Sequence, residues 1–328
     1  MSVQAEQQSL AASAGHWSAD RARRHGRSLL PWLLLVLLIS IGLSSAEGFG
    51  SGPVLLETLK GATFIGMAAA ALFFVIVGGG IDLSIGSVAT ISAMAAAVIM
   101  GGHDHAIPFA VLASLAIGLL VGTINGLLVN VLKINPLIAT FGMLYILQGV
   151  ALTYSVDAVG QAAPSFYELY VGTVVGVPVL LLIVGAFWIA CWYVARQTAF
   201  GKHLYAVGSD RDAARLAGVR TTRVSIASYI LCSMIAAAAG LLSLTQTGVG
   251  APNLGDTLLL ATLAAVVIGG VSLFGGEGSV VGVLGAALLL GFLNQLFDTL
   301  QVSALYHQLI QGLIILVALA FYRQRVRT

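Results

Sequence analysis

Ten runs of apolar residues, near 29–46, 61–77, 84–100, 107–130, 135–154, 177–196, 224–244, 258–270, 279–297 and 303–322, fill most of this 328-residue chain. A helix rising 1.5 Å per residue needs about 20 such residues to cross a ~30 Å hydrocarbon core. The runs therefore predict an all-α membrane protein of about ten transmembrane helices. The eighth run is short and bounded by glycines, so a broken or re-entrant segment is the alternative there. Only 9% of residues are charged against 59% hydrophobic, too few to coat a soluble globule, which excludes a soluble enzyme. The 39 glycines suit close helix contacts, and no segment keeps the period-two alternation of barrel strands.

Topology follows from the placement of Lys and Arg. With the N-terminus in the cytoplasm, ten spans put fourteen of the 15 basic residues on the inner face and only Lys60 outside. A missed helix would reverse every later loop. Both termini are thus expected in the cytoplasm, with residues 1–28 as a disordered tail, 29–322 as the transmembrane domain and 323–328 as a short tail. The first apolar run exceeds the roughly 7–15 residues of a signal-peptide core, so a retained helix is expected. Gly118, Gly122 and Gly126 lie on one helical face and read as tight packing within the subunit. Cys191 and Cys232 lie in apolar runs and form no zinc or disulfide pattern.

One connection stands apart. Residues 196–223 read RQTAFGKHLYAVGSDRDAARLAGVRTTR, and the loop 197–223 is too polar to span. Ser209 fits an N-cap, Asp210 and Asp212 complement the helix dipole, Ala213, Ala214, Leu216 and Ala217 form helix, and Gly218 stops it. The resulting short helix, with Arg211 and Arg215 as polar anchors, either docks in a partner's groove or only holds the loop on the inner side.

The remaining polar residues carry less signal. Gly78–Gly80 with Asp82 and Ser84 reads as a capped turn at the cytoplasmic face or as a flexible element of a pathway. Amides at Asn125, Asn135, Gln148, Gln246 and Asn294 match the hydroxyls of a neutral solute, although any one also serves as an interhelical hydrogen bond. No span carries a central Lys or Arg, which argues against a self-sufficient secondary carrier. No Walker sequence is present, so ATP is not bound by that route. His103 and His105 around Asp104 are a weak metal signal, and nothing supports nucleic-acid binding.

GGGIDLSIGS (78–87), GTINGLLVNVLKINPLIATFGMLYILQG (122–149), FGKHLYAVGSDRDAARLAGVRT (200–221) and VVIGGVSLFGGEGSVVG (266–282) together resemble the ribose-type ABC importer permeases, relatives of the branched-chain amino acid permeases. The resemblance runs from residue 29 onward. It implies a bacterial inner-membrane subunit that imports a monosaccharide or similar small polar solute. It also implies a second permease copy, two cytoplasmic ATPase subunits holding ATP and Mg, and a periplasmic solute-binding protein, with no cofactor on this chain. The loop 200–221 matches the family segment that docks the ATPase, which favours docking for Ser209 to Gly218, and helices two to five relate to seven to ten as an inverted repeat. Gly48–Gly52 and the Arg-rich N-terminal tail depart from the family pattern. A branched-chain amino acid permease is the related alternative.

Overall fold

The computed structural model describes residues 28–303 together with Tyr306, Leu309, Ile310, Gly312 and Leu313. Nearly all of the N-terminal tail, most of the tenth apolar run and the C-terminal tail lie outside the described residues. The helices are α1 (Ser28–Ser45), α2 (Gly52–Val77), α3 (Ile85–Met100), α4 (Ile107–Asn130), α5 (Pro136–Tyr154), α6 (Pro164–Val171), α7 (Val179–Gln197), α8 (Ala199–Ser209), α9 (Arg211–Leu216), α10 (Thr221–Thr247), α11 (Leu254–Ile268) and α12 (Val280–Thr299). A two-stranded hairpin, β1 (Thr173–Val174) and β2 (Val177–Pro178), joins α6 to α7. Prolines open α2, α4, α5 and α6, where the missing N–H would have had no intrahelical partner.

Among the described residues seven helices, α1, α2, α4, α5, α7, α10 and α12, are long and apolar enough to cross a membrane. The third and eighth runs form shorter apolar helices, α3 of 16 residues and α11 of 15. Each is short for the same reason. The chain leaves α2 through the non-helical link 78–84 and leaves α10 through the non-helical link 248–253, and each link takes residues that would have lengthened the next helix.

The links correspond in detail. Gly79 and Gly248 both have positive φ (81° and 69°), as do Gly101 and Gly270 (50° and 77°). Ser84 and Asn253 are the N-cap positions of α3 and α11. Gly86 and Gly255 meet reciprocally: a Cβ on either would strike the other's carbonyl. Gly122 of α4 lies against the backbone of Ile230 in α10, and Gly291 of α12 lies against Ala62 in α2. The two residue numbers in each equivalent pair, Gly122 and Gly291 included, differ by the same amount. α4 thus seats on α10 and α12 on α2, and glycine is required where two backbones touch.

The core follows from this exchange. α2 is buried along nearly all of its last twenty residues, and α10 is buried along most of its length, so both read as apolar all round. Gly118 and Gly126 join Gly122 in a seam against α10, touching Ser233, Met234 and Ile226. Lys60, expected in an outer connection, instead lies inside α2 and is buried. The apolar run at 61–77 hides this because the helix begins nine residues before it, and Glu57 and Lys60 fall in that earlier stretch.

Candidate functional sites

Two regions bring polar side chains together. The first is the exposed α8–α9 unit. Thr198 caps α8 by accepting from Gly201 N at 3.1 Å. Ser209 is the last residue of α8, and the N-cap of α9 is Asp210, whose Oδ1 accepts from Asp212 N (3.0 Å) and Ala213 N (2.9 Å). A carboxylate capping the first turn also meets the positive end of the helix dipole, which is why Asp210 takes the place the sequence assigned to Ser209. α9 ends as expected at Gly218, with φ of 84°, and the Val219 N to Ala214 O bond at 3.0 Å closes the C-terminal turn.

The two arginines of α9 divide their roles. Arg211 Nη2 donates to Asn130 Oδ1 at 3.1 Å, and Asn130 Nδ2 donates to Gly126 O at 3.1 Å, so Arg211 ties α9 to the end of α4. Arg215 pairs with Asp212 at 3.2 Å, both side chains largely in solvent, a pair of little energetic weight. Ala214 faces the body and is buried, while Ala213, Ala217, Gly218 and above all Leu216, 88% exposed, face outward. The outward face is small-residue helix with one large apolar side chain.

The second region lies inside the helical body. Asp82 is fully buried in the link 78–84, not in a turn at the surface. Its Oδ1 accepts from Ser84 N (2.9 Å) and Ser84 Oγ (2.6 Å), and Ser84 Oγ accepts from Asn125 Nδ2 (2.9 Å). Asp82 Oδ2 and Asn125 Oδ1 have no hydrogen-bond partner. Cys232, eleven residues into α10, flanks the carboxyl, and at 1.5 Å per residue that is about 16 Å from the helix start. Of the two readings of 78–84, the surface turn is therefore set aside, because the unwound link carries Asp82 inward. Asp82 is bonded toward the N-terminus of α3, whose positive dipole end faces it.

The structure distributes the other candidates widely. Asn135 is exposed and accepts from Leu137 N at 2.9 Å as the N-cap of α5. Gln148 Nε2 donates to Pro252 O at 3.1 Å, joining α5 to the second link. Gln246 is exposed beside Tyr170, and Asn294 is half-buried in α12. Thr140 and Tyr229 carried no signal in the sequence. Thr140 Oγ1 accepts from Leu83 N at 3.0 Å, and the Tyr229 hydroxyl donates to Ile81 O at 3.2 Å, so both hold the first link. Their partners stand 57 and 148 positions away, beyond the reach of local pattern.

At the end of the body opposite α8 and α9, Lys60 Nζ lies 3.0 Å from Glu57 Oε1 and 4.3 Å from the Tyr170 ring centroid, and the Tyr170 hydroxyl donates to Glu57 Oε2 at 2.6 Å. Burial first, then this bond, pushes the Tyr170 phenol far above its ordinary pKa, so it remains a donor. Among the described residues no three His, Cys, Asp or Glu could hold a metal ion. The His103 and His105 rings lie 5.4 Å apart at an angle of 57°, and Asp104 Oδ1 accepts from Ser165 N.

Residues 54–319 match the family model described as branched-chain amino acid transport system / permease component. The chain is 33% identical over 297 residues to the ribose import permease of Escherichia coli K12, covering 89% of this chain and 91% of the relative. It is 35% identical over 309 residues to the fructose import permease of Rhizobium meliloti, covering 89% and 84%. It is 32% identical over 306 residues to the L-arabinose ABC transporter permease of Azospirillum brasilense, covering 92% and 89%. No solved structure matches.

Proposed function

The chain belongs to the branched-chain amino acid transport system permease family, and from that premise we propose that it is the membrane subunit of an ATP-binding cassette importer that moves a monosaccharide inward. The observation that carries this reading is the likeness to three sugar permeases, for ribose, fructose and arabinose, over more than four-fifths of each chain. The chain is a conduit, and ATP with Mg would sit on separate ATPase subunits. A second permease copy and a periplasmic solute-binding protein complete the assembly in the bacterial inner membrane.

In this reading the body has ten spans with both termini in the cytoplasm, α3 and α11 counting as spans three and eight. The distribution of Lys and Arg supports that orientation. The matched glycines and caps of the two links support an inverted repeat of helices two to five and seven to ten. The loop 197–223, with Ser209 through Gly218, would receive the ATPase, and nucleotide-driven closure would rock the paired permeases between outward- and inward-open states. The pathway would draw on Asp82, Ser84, Asn125, Asn135, Gln148, Gln246 and Asn294.

Reconstitution tests this directly. The chain, its ATPase subunit and its solute-binding protein in vesicles should take up labelled ribose, fructose or arabinose only with ATP present. Uptake of leucine instead would transfer the reading to an amino acid permease. Accumulation by the chain alone without ATP would make it a secondary carrier and end the proposal.

A further inference from the structure

The glycine-rich turn after α11 is bound to the α8–α9 unit by its backbone. Gly276 N donates to Val77 O at 2.9 Å, and Ser209 Oγ lies 3.5 Å from Gly276 O. A Cβ on Gly208 would overlap Val77 O and come within 2.6 Å of Gly276 N; one on Gly275 would come within 2.8 Å of Gly79 Cα and 2.9 Å of Gly208 O. The Tyr205 hydroxyl of α8 adds a bond to Gly278 O at 2.8 Å. Three chain segments thus touch without side chains between them, which leaves no rotamers to absorb movement. Ser209, the last residue of α8, precedes the cap of α9 by one position.

The turn is also closed on itself. Ser272 N donates to Glu277 O at 2.9 Å, Gly275 N to Ser272 O at 3.0 Å and Phe274 N to Ser272 Oγ at 3.3 Å. At its tip Phe274 stands 65% exposed, while Leu273 packs against the core. A pre-ordered turn presenting one aromatic ring has the form of a binding anchor, since little ordering entropy is lost on contact and aromatics dominate interface energetics. Lys202, His203, Asp212 and Arg215 of the α8–α9 unit to which the turn is bonded are exposed as well. Because the turn is bonded to the polar α8–α9 unit, the ring stands with a surface fit for a soluble protein more than for lipid tails.

We propose that the turn 272–277 is a second contact point for the ATPase subunit that α9 receives, so that one rigid unit presents Leu216 and Phe274 to the same partner. The inference rests on the docking reading of α9 given above and extends it. Two anchors on one unmoving frame transmit a push as well as a pull, and Gly79 beside Gly208 carries that motion into the link that bears Asp82.

The test places a photo-cross-linker on Leu216→Cys and, separately, on Phe274→Cys in the complete complex in vesicles; both sites are exposed, whereas Cys191 and Cys232 are buried. Each variant should join the chain to the ATPase subunit. A Leu216→Cys product without one from Phe274→Cys, or with only lipid adducts there, overturns the second contact and leaves the docking helix standing. Failure at Leu216→Cys sinks the docking reading and the proposal with it. Independently, Phe274→Ala should lower the affinity of the solubilised chain for its ATPase about tenfold with an unchanged melting temperature; unchanged affinity would also overturn the proposal.

Discussion

The segment from α2 to α4 and the segment from α10 to α12 share a backbone plan but differ in their chemistry. Both unwind after a long buried helix, pass a glycine with positive φ, cap a short helix and touch each other through Gly86 and Gly255. The first half fills its link with Ile81, Asp82, Leu83 and Ser84, and its Asn125 completes a buried network. The second half has Gly250, Ala251, Pro252 and Asn253 at the same places. The backbone plan is therefore what the fold requires, and the buried carboxylate is an addition that the fold itself does not need.

Substitutions at matched positions can break or sharpen this contrast, with stability read by a fluorogenic thiol dye that reaches the buried Cys191 and Cys232 only on unfolding. The largest effect is expected at the shared crossing. Gly86→Val and Gly255→Val should each cost about 3–5 kcal/mol, because the new Cβ meets a backbone carbonyl that has nowhere to go. If one is tolerated and the other is not, the contact is not reciprocal.

The next effect should separate the halves. Asp82→Ala strands the Ser84 N–H and hydroxyl in the interior and should cost about 2–4 kcal/mol, whereas Ala251→Ser at the matched place should cost less than about 1 kcal/mol. Equal losses would mean that the second link is as finely fitted as the first. A smaller difference is expected one helix later. Asn125→Ala should cost about 1–2 kcal/mol and Asn294→Ala about half of that, since Asn294 is only half-buried; a larger loss at Asn294 would reverse the assignment of polar chemistry to the first half. The least effect belongs to Asn253→Ser, which gives α11 the residue type found at the N-cap position of α3. Its stability should move by less than about 0.5 kcal/mol, because the exposed Asn253 side chain makes no cap hydrogen bond to lose, and a greater shift would show that this side chain holds part of the second link.

The long helices were legible because their apolar runs match the length a bilayer demands, and α9 was legible to within one residue of its cap because its helix formers and following glycine lie within ten residues. The links were not. Gly78–Gly80 announces a break in any reading, but whether the chain then turns at the surface or runs back through the body depends on Tyr229, Thr140 and Asn125, all distant in sequence. Lys60 looked like a loop residue because a lone charge at the edge of an apolar run gives no hint of Glu57 and Tyr170 beside it. Asn135 and Asn125 are the same residue type in adjacent helices, yet one caps a helix end in the open and the other bonds inside the body, a distinction made only by packing.

The seating of α4 on α10 and of α12 on α2 bears on how the chain is made. When a ribosome has delivered the first four long helices to the membrane, the glycine seam of α4 still has no mate, because α10, which fills it, is synthesised later. The early helices must wait beside the insertion machinery with their notched faces uncovered, and the body closes only after α10 has entered. Truncation between the halves would leave two unfinished pieces and not one working module.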